Sequence, residues 1–175
     1  MKKLLPILFV TVCVLQVGAQ TNVYNNSTTH LKVNGGASYS AISGEDGVYA
    51  PKFGVGFDTR VSSQPVYVGA GVEYINKGYR HNSNHSLVMP FLGSYHIILN
   101  EKISVAPYAG TVISYGFNWE KWDYGLRLGC NIIKHRWDFT LGYDLGLRHY
   151  KFTTDEGRSK TLFFGIGYNF NLIIN

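Results

Sequence analysis

Between Arg136 and Tyr150 hydrophobic and polar positions alternate with a period of two. Trp137, Phe139, Leu141, Tyr143, Leu145 and Leu147 form one set, and Arg136, Asp138, Thr140, Gly142, Asp144, Gly146 and Arg148 form the other. Successive side chains of a β-strand point to opposite faces, so the stretch predicts a strand with one wholly apolar face and one of charge and glycine. The same alternation recurs in seven more segments, near residues 31–43, 52–62, 66–79, 87–99, 103–117, 122–132 and 161–172. No stretch sustains a 3.6-residue period. The fourth segment is the least regular: Val88, Leu92 and Ile98 are apolar on the face opposite Leu87, Met89 and Phe91, and Pro90 predicts a bulge or a lost ladder bond. The fifth, with Pro107 near its start, is ambiguous in register.

Two architectures suit such strands. In a soluble sandwich the apolar face would fill the core and the charged face would meet water. In a membrane barrel the apolar face meets lipid and the charged face lines a narrow lumen. Through the last three segments the apolar set is unbroken, while the opposite set is rich in glycine (Gly125, Gly129, Gly142, Gly146, Gly165, Gly167) rather than in Lys and Glu. Small residues suit the concave interior of a small barrel. The connections agree. Tight ones near Ser63-Gln64, Asn100-Glu101 and Lys134-His135 alternate with longer polar ones at residues 44–51, 80–86, 118–121 and 151–160. Outer-membrane barrels have short periplasmic turns and longer external loops. Trp119, Trp122, Tyr124 and Tyr150 gather toward the long loops, and Trp137 and Phe139 toward the short turns, as interfacial belts would. The prediction is an all-β, eight-stranded, antiparallel, up-and-down transmembrane β-barrel over residues 31–175.

Composition adds compartment. Twenty glycines, 13 tyrosines and 10 phenylalanines in 175 residues fit an all-β chain. Met1-Lys2-Lys3, an apolar run from Leu4 to Leu15 and the small residues of Val17-Gly18-Ala19 predict a secretory signal peptide over residues 1–19, followed by a short segment at 20–30. The rival, a lipoprotein signal acylated at Cys13, has Val12 where a small residue is wanted. Export follows from both. Without the leader the net charge falls from +5 to +3, too mild to indicate nucleic acid. Cys130 would then stand alone, in the apolar register of its strand, where it reads as a small hydrophobe.

The run Tyr74-Ile75-Asn76-Lys77-Gly78-Tyr79, then Leu87-Val88-Met89-Pro90-Phe91-Leu92, resembles the strand with a Lys-Gly end followed by a strand with a central Pro in the PorT-like outer-membrane β-barrel family of Bacteroidota. Ala106-Pro107-Tyr108-Ala109-Gly110 and Phe164-Gly165-Ile166-Gly167-Tyr168-Asn169-Phe170 are similar to that family's fifth and eighth strands. The resemblance implies an outer-membrane location in a Gram-negative bacterium. It carries over no role in secretion.

Candidate chemistry is sparse. The inward set carries Lys32, Lys52, Lys77, Asp123 and Asp138, and with them Asp58, Arg60, Glu73, Arg127, Asp144 and Arg148 as the candidate lumen network, where charges must be paired to be tolerated. Such a network reads either as an ion-conducting lining or as a plug of salt bridges. The plug is favoured, because eight strands close around their own side chains. Arg80-His81-Asn82-Ser83-Asn84-His85-Ser86 alone carries catalytic residue types. A lipid-modifying esterase, such as a lipid A deacylase, would use His81 and Ser83 as base and nucleophile. Yet no acidic residue lies between Glu73 and Glu101 to orient the histidine. Two loop histidines make a weak metal site, and no Gly-rich phosphate loop joins a strand to a helix, so no cofactor is expected. The expectation is a non-enzymatic module whose partners are outer-membrane lipid, the barrel-insertion machinery and an envelope protein met through the long loops. The alternatives are the lipid-modifying enzyme and a soluble, lipocalin-like binding barrel with the sides reversed.

Overall fold

The computed structural model describes residues 29–42, 46–78, 83–100, 102–118, 121–151 and 156–172. The expected signal peptide, most of the segment at 20–30, His81 and Trp119 lie outside them. The described residues form β1 (Thr29–Ile42), β2 (Val48–Arg60), β3 (Val66–Asn76), β4 (His85–Tyr95), β5 (Ile97–Asn100), β6 (Ile103–Gly116), β7 (Trp122–Lys134), β8 (Trp137–Lys151) and β9 (Glu156–Leu172). Each strand pairs antiparallel with its neighbours, β1 pairs with β9, and β4 and β5 both pair with β6, so the sheet closes on itself. Nine strands make eight staves. β4 and β5 are one stave broken at His96, because Ser94↔Tyr108 and Ile97↔Val105 keep a single register on β6. At the break the His96 N–H turns away to the Pro65 carbonyl, 2.8 Å off.

The sides fall as a membrane barrel requires. Leu141, Phe164 and Leu128 are 57, 60 and 60% exposed on the outer surface, whereas Asp144 is 2% exposed and Arg127 1%. Ile166 and Phe170 are also exposed, so the soluble, reversed barrel is excluded. Closure pairs the long strands on both sides, the condition for β-structure in lipid, and among the described strands only the short β5, at the short-turn rim, has a single partner, β6. The fourth segment's irregularity has two sources. Val88 points inward with Ile75 and Val112 into a small dry cluster inside the bore. Pro90, which has no N–H, faces a gap in the β3–β4 ladder between Ala70↔Phe91 and Glu73↔Val88, with no shift of register and therefore no bulge. In β6 the inward set is Ala106, Tyr108, Val112 and Ser114, which resolves the ambiguous register.

Glycines give the few large inward side chains their room. Gly129 and Gly142 are cross-strand neighbours on β7 and β8. A methyl group at Gly129 would fall on the Tyr108 ring, and one at Gly142 on the Phe163 ring and the Tyr108 hydroxyl. The short turns are built locally. Asn100 Oδ1 accepts the N–H groups of Lys102 and Ile103, both at 2.9 Å. His135 takes φ 58° in the two-residue turn before Trp137, the backbone sign that tight hairpins need. At the other end the hairpin of β8 and β9 runs further than the sequence suggests. Residues 156–160, expected as loop, pair with β8 as His149↔Arg158 and Lys151↔Glu156. Above a membrane both faces of a ladder meet water, so a polar sequence there does not end the strand.

Candidate functional site

Three groups of ionic side chains follow one another down the bore. The central group hangs on Arg127, which faces Asp144 across the β7–β8 ladder. Arg127 Nε and Nη2 donate to the two Asp144 oxygens at 2.6 and 2.8 Å, a bidentate fork. Its Nη1 reaches across the lumen to Glu73 Oε2 on β3 at 2.7 Å, and Lys52 on β2 donates to Glu73 Oε1 at 2.8 Å. Lys52 also donates to Asn34 Oδ1 at 3.1 Å. Phe163 lies beneath both cations, its ring centre 4.5 Å from Arg127 Cζ and 4.9 Å from Lys52 Nζ. All four ionic side chains are buried, and two cations face two anions. The group spans the bore from one wall to the other.

The second group lies toward the short turns. Lys32 Nζ sits 2.8 Å from Asp58 Oδ2 and 3.0 Å from Asp138 Oδ2, and the His30 Nδ1–H donates to Asp58 Oδ1 at 2.8 Å. His30 stacks on Tyr67, and Tyr67 on His96, with ring centres 5.9 and 4.0 Å apart. Between this group and the central one lies a cavity of ≈ 100 Å³, and a second of ≈ 180 Å³ opens beside His30, His96 and His135. Asn131 Oδ1, Asn169 Oδ1 and His96 Nε2 are buried there without a protein hydrogen-bond partner. The third group, toward the long loops, is Lys77 with Ser114 Oγ at 3.0 Å and Asp123 Oδ2 at 3.5 Å.

Of the six residues of the candidate lumen network, Glu73, Arg127 and Asp144 meet in the central group. Asp58 joins the second group instead. Arg60 is not part of a lumen network: it ends β2 and caps the short turn, its Nε donating to the Gln64 carbonyl at 3.1 Å and its Nη2 to the Ser63 carbonyl. A strand's last residue is close enough to its turn to satisfy carbonyls there. Arg148, at the opposite rim, donates to the Trp122 carbonyl at 2.5 Å. Lys52, Lys32 and Asp138 share the inward register and belong to these groups as fully as the residues picked out, and the sequence alternation already carried that signal. His30 reaches the second group because β1 begins at Thr29, two residues before the expected start at residue 31. Of the belt residues, Trp122, Tyr124, Trp137 and Phe139 are exposed on the outer surface, and Tyr150 lies in β8 opposite Gly157.

The histidine-and-serine stretch forms no catalytic pair among the described residues. Ser83 Oγ accepts from Asn76 Nδ2, while His85 Nδ1 meets the Tyr74 hydroxyl at 2.5 Å. These contacts belong to a knot that joins two loops, in which Asn118 Nδ2 also donates to the Ser83 carbonyl at 2.6 Å and the Phe117 N–H to the His85 carbonyl at 2.8 Å. No three metal-ligating side chains converge among the described residues.

No family model and no curated protein matches the chain. Solved structures do. The Neisserial surface protein NspA superposes with a TM-score of 0.58 over 83% of this chain and 100% of its own, at 9% identity. The outer-membrane enzyme PagL gives 0.54 over 78% and 98%, at 14% identity. Ail, the attachment invasion locus protein of Yersinia pestis, gives 0.51 over 83% and 99%, at 12% identity. An outer-membrane enzyme, a surface protein and an attachment invasion locus protein share this architecture, so the likeness speaks to structure alone. The chain has the fold of the small eight-stranded outer-membrane β-barrels.

Proposed function

We propose that this protein is a non-enzymatic barrel of a Gram-negative outer membrane, plugged along its axis, which displays its long-loop rim to a partner in the cell envelope. The observation that carries the reading is the central ionic group. Arg127 ties β3 to β7 and β8 through Glu73 and Asp144, which sets a bridge of paired charges across the middle of the bore. A conducting lumen would need those side chains hydrated and apart. The rim supports the second half of the reading, because the knot of Asn76, Ser83 and Asn118 holds two long connections together as one surface. The PorT-like resemblance of residues 74–79 and 87–92 supports this location and, within the same reading, an origin in Bacteroidota.

The test has two arms. Inserted in planar lipid bilayers, the wild-type chain should show no steady conductance, and a stable open pore would sink the plug. In intact cells, photocrosslinking from position 121 in the third long connection should trap a defined envelope protein. Trapping only lipid and insertion machinery would remove the interaction role. A Ser83→Ala variant should leave acyl release from outer-membrane lipid unchanged, and a loss of acyl release would install the lipid-modifying enzyme in its place.

A further inference from the structure

β9, at 17 residues the longest strand, carries two cations on its outer side. Alternation places Arg158 and Lys160 in the same row as Leu162, Phe164 and Ile166, and all five are exposed. Among the described side chains, every other outward strand position in the long-loop half is uncharged. The height of the pair follows from strand geometry. From Leu162 to Phe170 the apolar row runs roughly 26 Å along the strand, which at the usual tilt of about 40° covers about 20 Å of membrane normal. That is most of the apolar band such barrels present, about 25 Å tall. Lys160 stands one row above Leu162, about 7 Å along the strand, and Arg158 another 7 Å on. Both therefore reach the level of lipid headgroups at the long-loop end, with their stems over apolar surface.

Their surroundings leave this charge to be met from outside. Lys160 has Ala41 and Leu145 as cross-strand neighbours, and neither can pair with it. Arg158 donates through Nε and Nη2 to His149 Nε2 at 3.1 and 2.9 Å, which holds the guanidinium in place and leaves Nη1 open. An aromatic pair, Tyr39 and Tyr49 with ring centres 4.7 Å apart, flanks the site beyond Leu162. We propose that Arg158 and Lys160 bind a phosphate monoester on a glycolipid of the outer leaflet. A phosphate monoester carries about −1.5 to −2 charge, which a two-cation site matches better than the single charge of a phosphodiester. The assignment rests on the proposed membrane orientation, with the long loops outside.

The test is retention of bis-phosphorylated lipid A by the full chain folded into phosphatidylcholine vesicles, read by native mass spectrometry. The wild type should keep the lipid, and the double variant Arg158→Gln/Lys160→Gln should hold it about 30-fold more weakly. Lys134→Gln, an outward cation at the short-turn end, should change nothing, and dephosphorylated lipid A should not be retained. Equal retention by wild type and double variant overturns the site. So does equal retention of phosphatidylglycerol, which would show that any anionic headgroup suffices. Insertion is scored first by the heat-dependent shift in gel mobility. A wild-type chain that does not insert sinks the barrel reading itself, whereas insertion with equal retention sinks this site alone.

Discussion

The central and lower ionic groups use the same residue types to different ends. Around Arg127 two cations meet two anions, each carboxylate is held by at least one short charged bond, and the Phe163 ring closes the underside. Around Lys32 one lysine serves two aspartates, with His30 as the additional donor to Asp58. Polar atoms without protein partners and two cavities surround that second group. The cavities are roomy and polar enough to hold water. The difference separates a stopper from a vestibule: the central group is neutral and borders one cavity, and the lower one borders both and is short of positive charge. Charges in the stopper depend mainly on one another, so removing one strands the rest. Those in the vestibule can borrow solvent, since the Lys32 side chain keeps 20% of its surface exposed.

The largest expected effect therefore comes from Arg127→Met, which leaves Glu73 and Asp144 buried without their shared cation. The loss should be about 3–5 kcal/mol, read as a lower urea midpoint for the folded barrel in vesicles. Replacing all four central residues at once with apolar ones of similar volume should cost much less, because no charge is then stranded. Equal losses in the two variants would mean that the group is not a coupled unit.

Next comes Gly142→Ala. Its methyl group would meet Phe163 and Tyr108, the two rings that fill the bore beside Arg127, and should cost about 1–3 kcal/mol by overpacking. Combining it with Phe163→Leu should recover part of the loss, and no recovery would place the clash elsewhere. Lys32→Met should cost less than Arg127→Met, about 2 kcal/mol, because the two buried aspartates it leaves line cavities that can admit water. A loss as large as that of Arg127→Met would erase the distinction between vestibule and stopper.

How much of this was legible beforehand follows from what a period of two can carry. It gave the sides of every segment but the fifth, and with them the inward placement of Glu73, Arg127, Asp144, Asp58 and Lys52. It could not give height, because residues in one register differ in depth by their position along a tilted strand. Asp58 and Glu73 both face inward, yet one sits in the vestibule and the other in the stopper. Arg60 shows the same limit at a strand end, where an inward position becomes a turn cap. The fourth segment looked irregular because Val88 is apolar on the face opposite Leu87, but that inward Val88 meets Ile75 and Val112 from β3 and β6. That contact depends on the stagger between adjacent staves, which alternation within one strand does not give. The loop at 151–160 was misjudged for another reason: polarity marks the end of the membrane, not the end of the ladder.

The smallest effect should come from a glycine on the other side of the wall. Gly93 faces outward on β4, and a methyl group there would meet little more than the Ala109 carbonyl oxygen at 3.9 Å, an ordinary contact. Its strand conformation requires nothing special of the backbone, and lipid adapts to one added methyl. Gly93→Ala should therefore change the urea midpoint by no more than about 0.5 kcal/mol equivalent, the usual range for surface substitutions. The pair Gly93→Ala and Gly142→Ala makes the same chemical change on opposite faces of the barrel wall. If the two variants lose stability equally, the inner face is no more tightly packed than the lipid-facing one, and the stopper loses its mechanical basis.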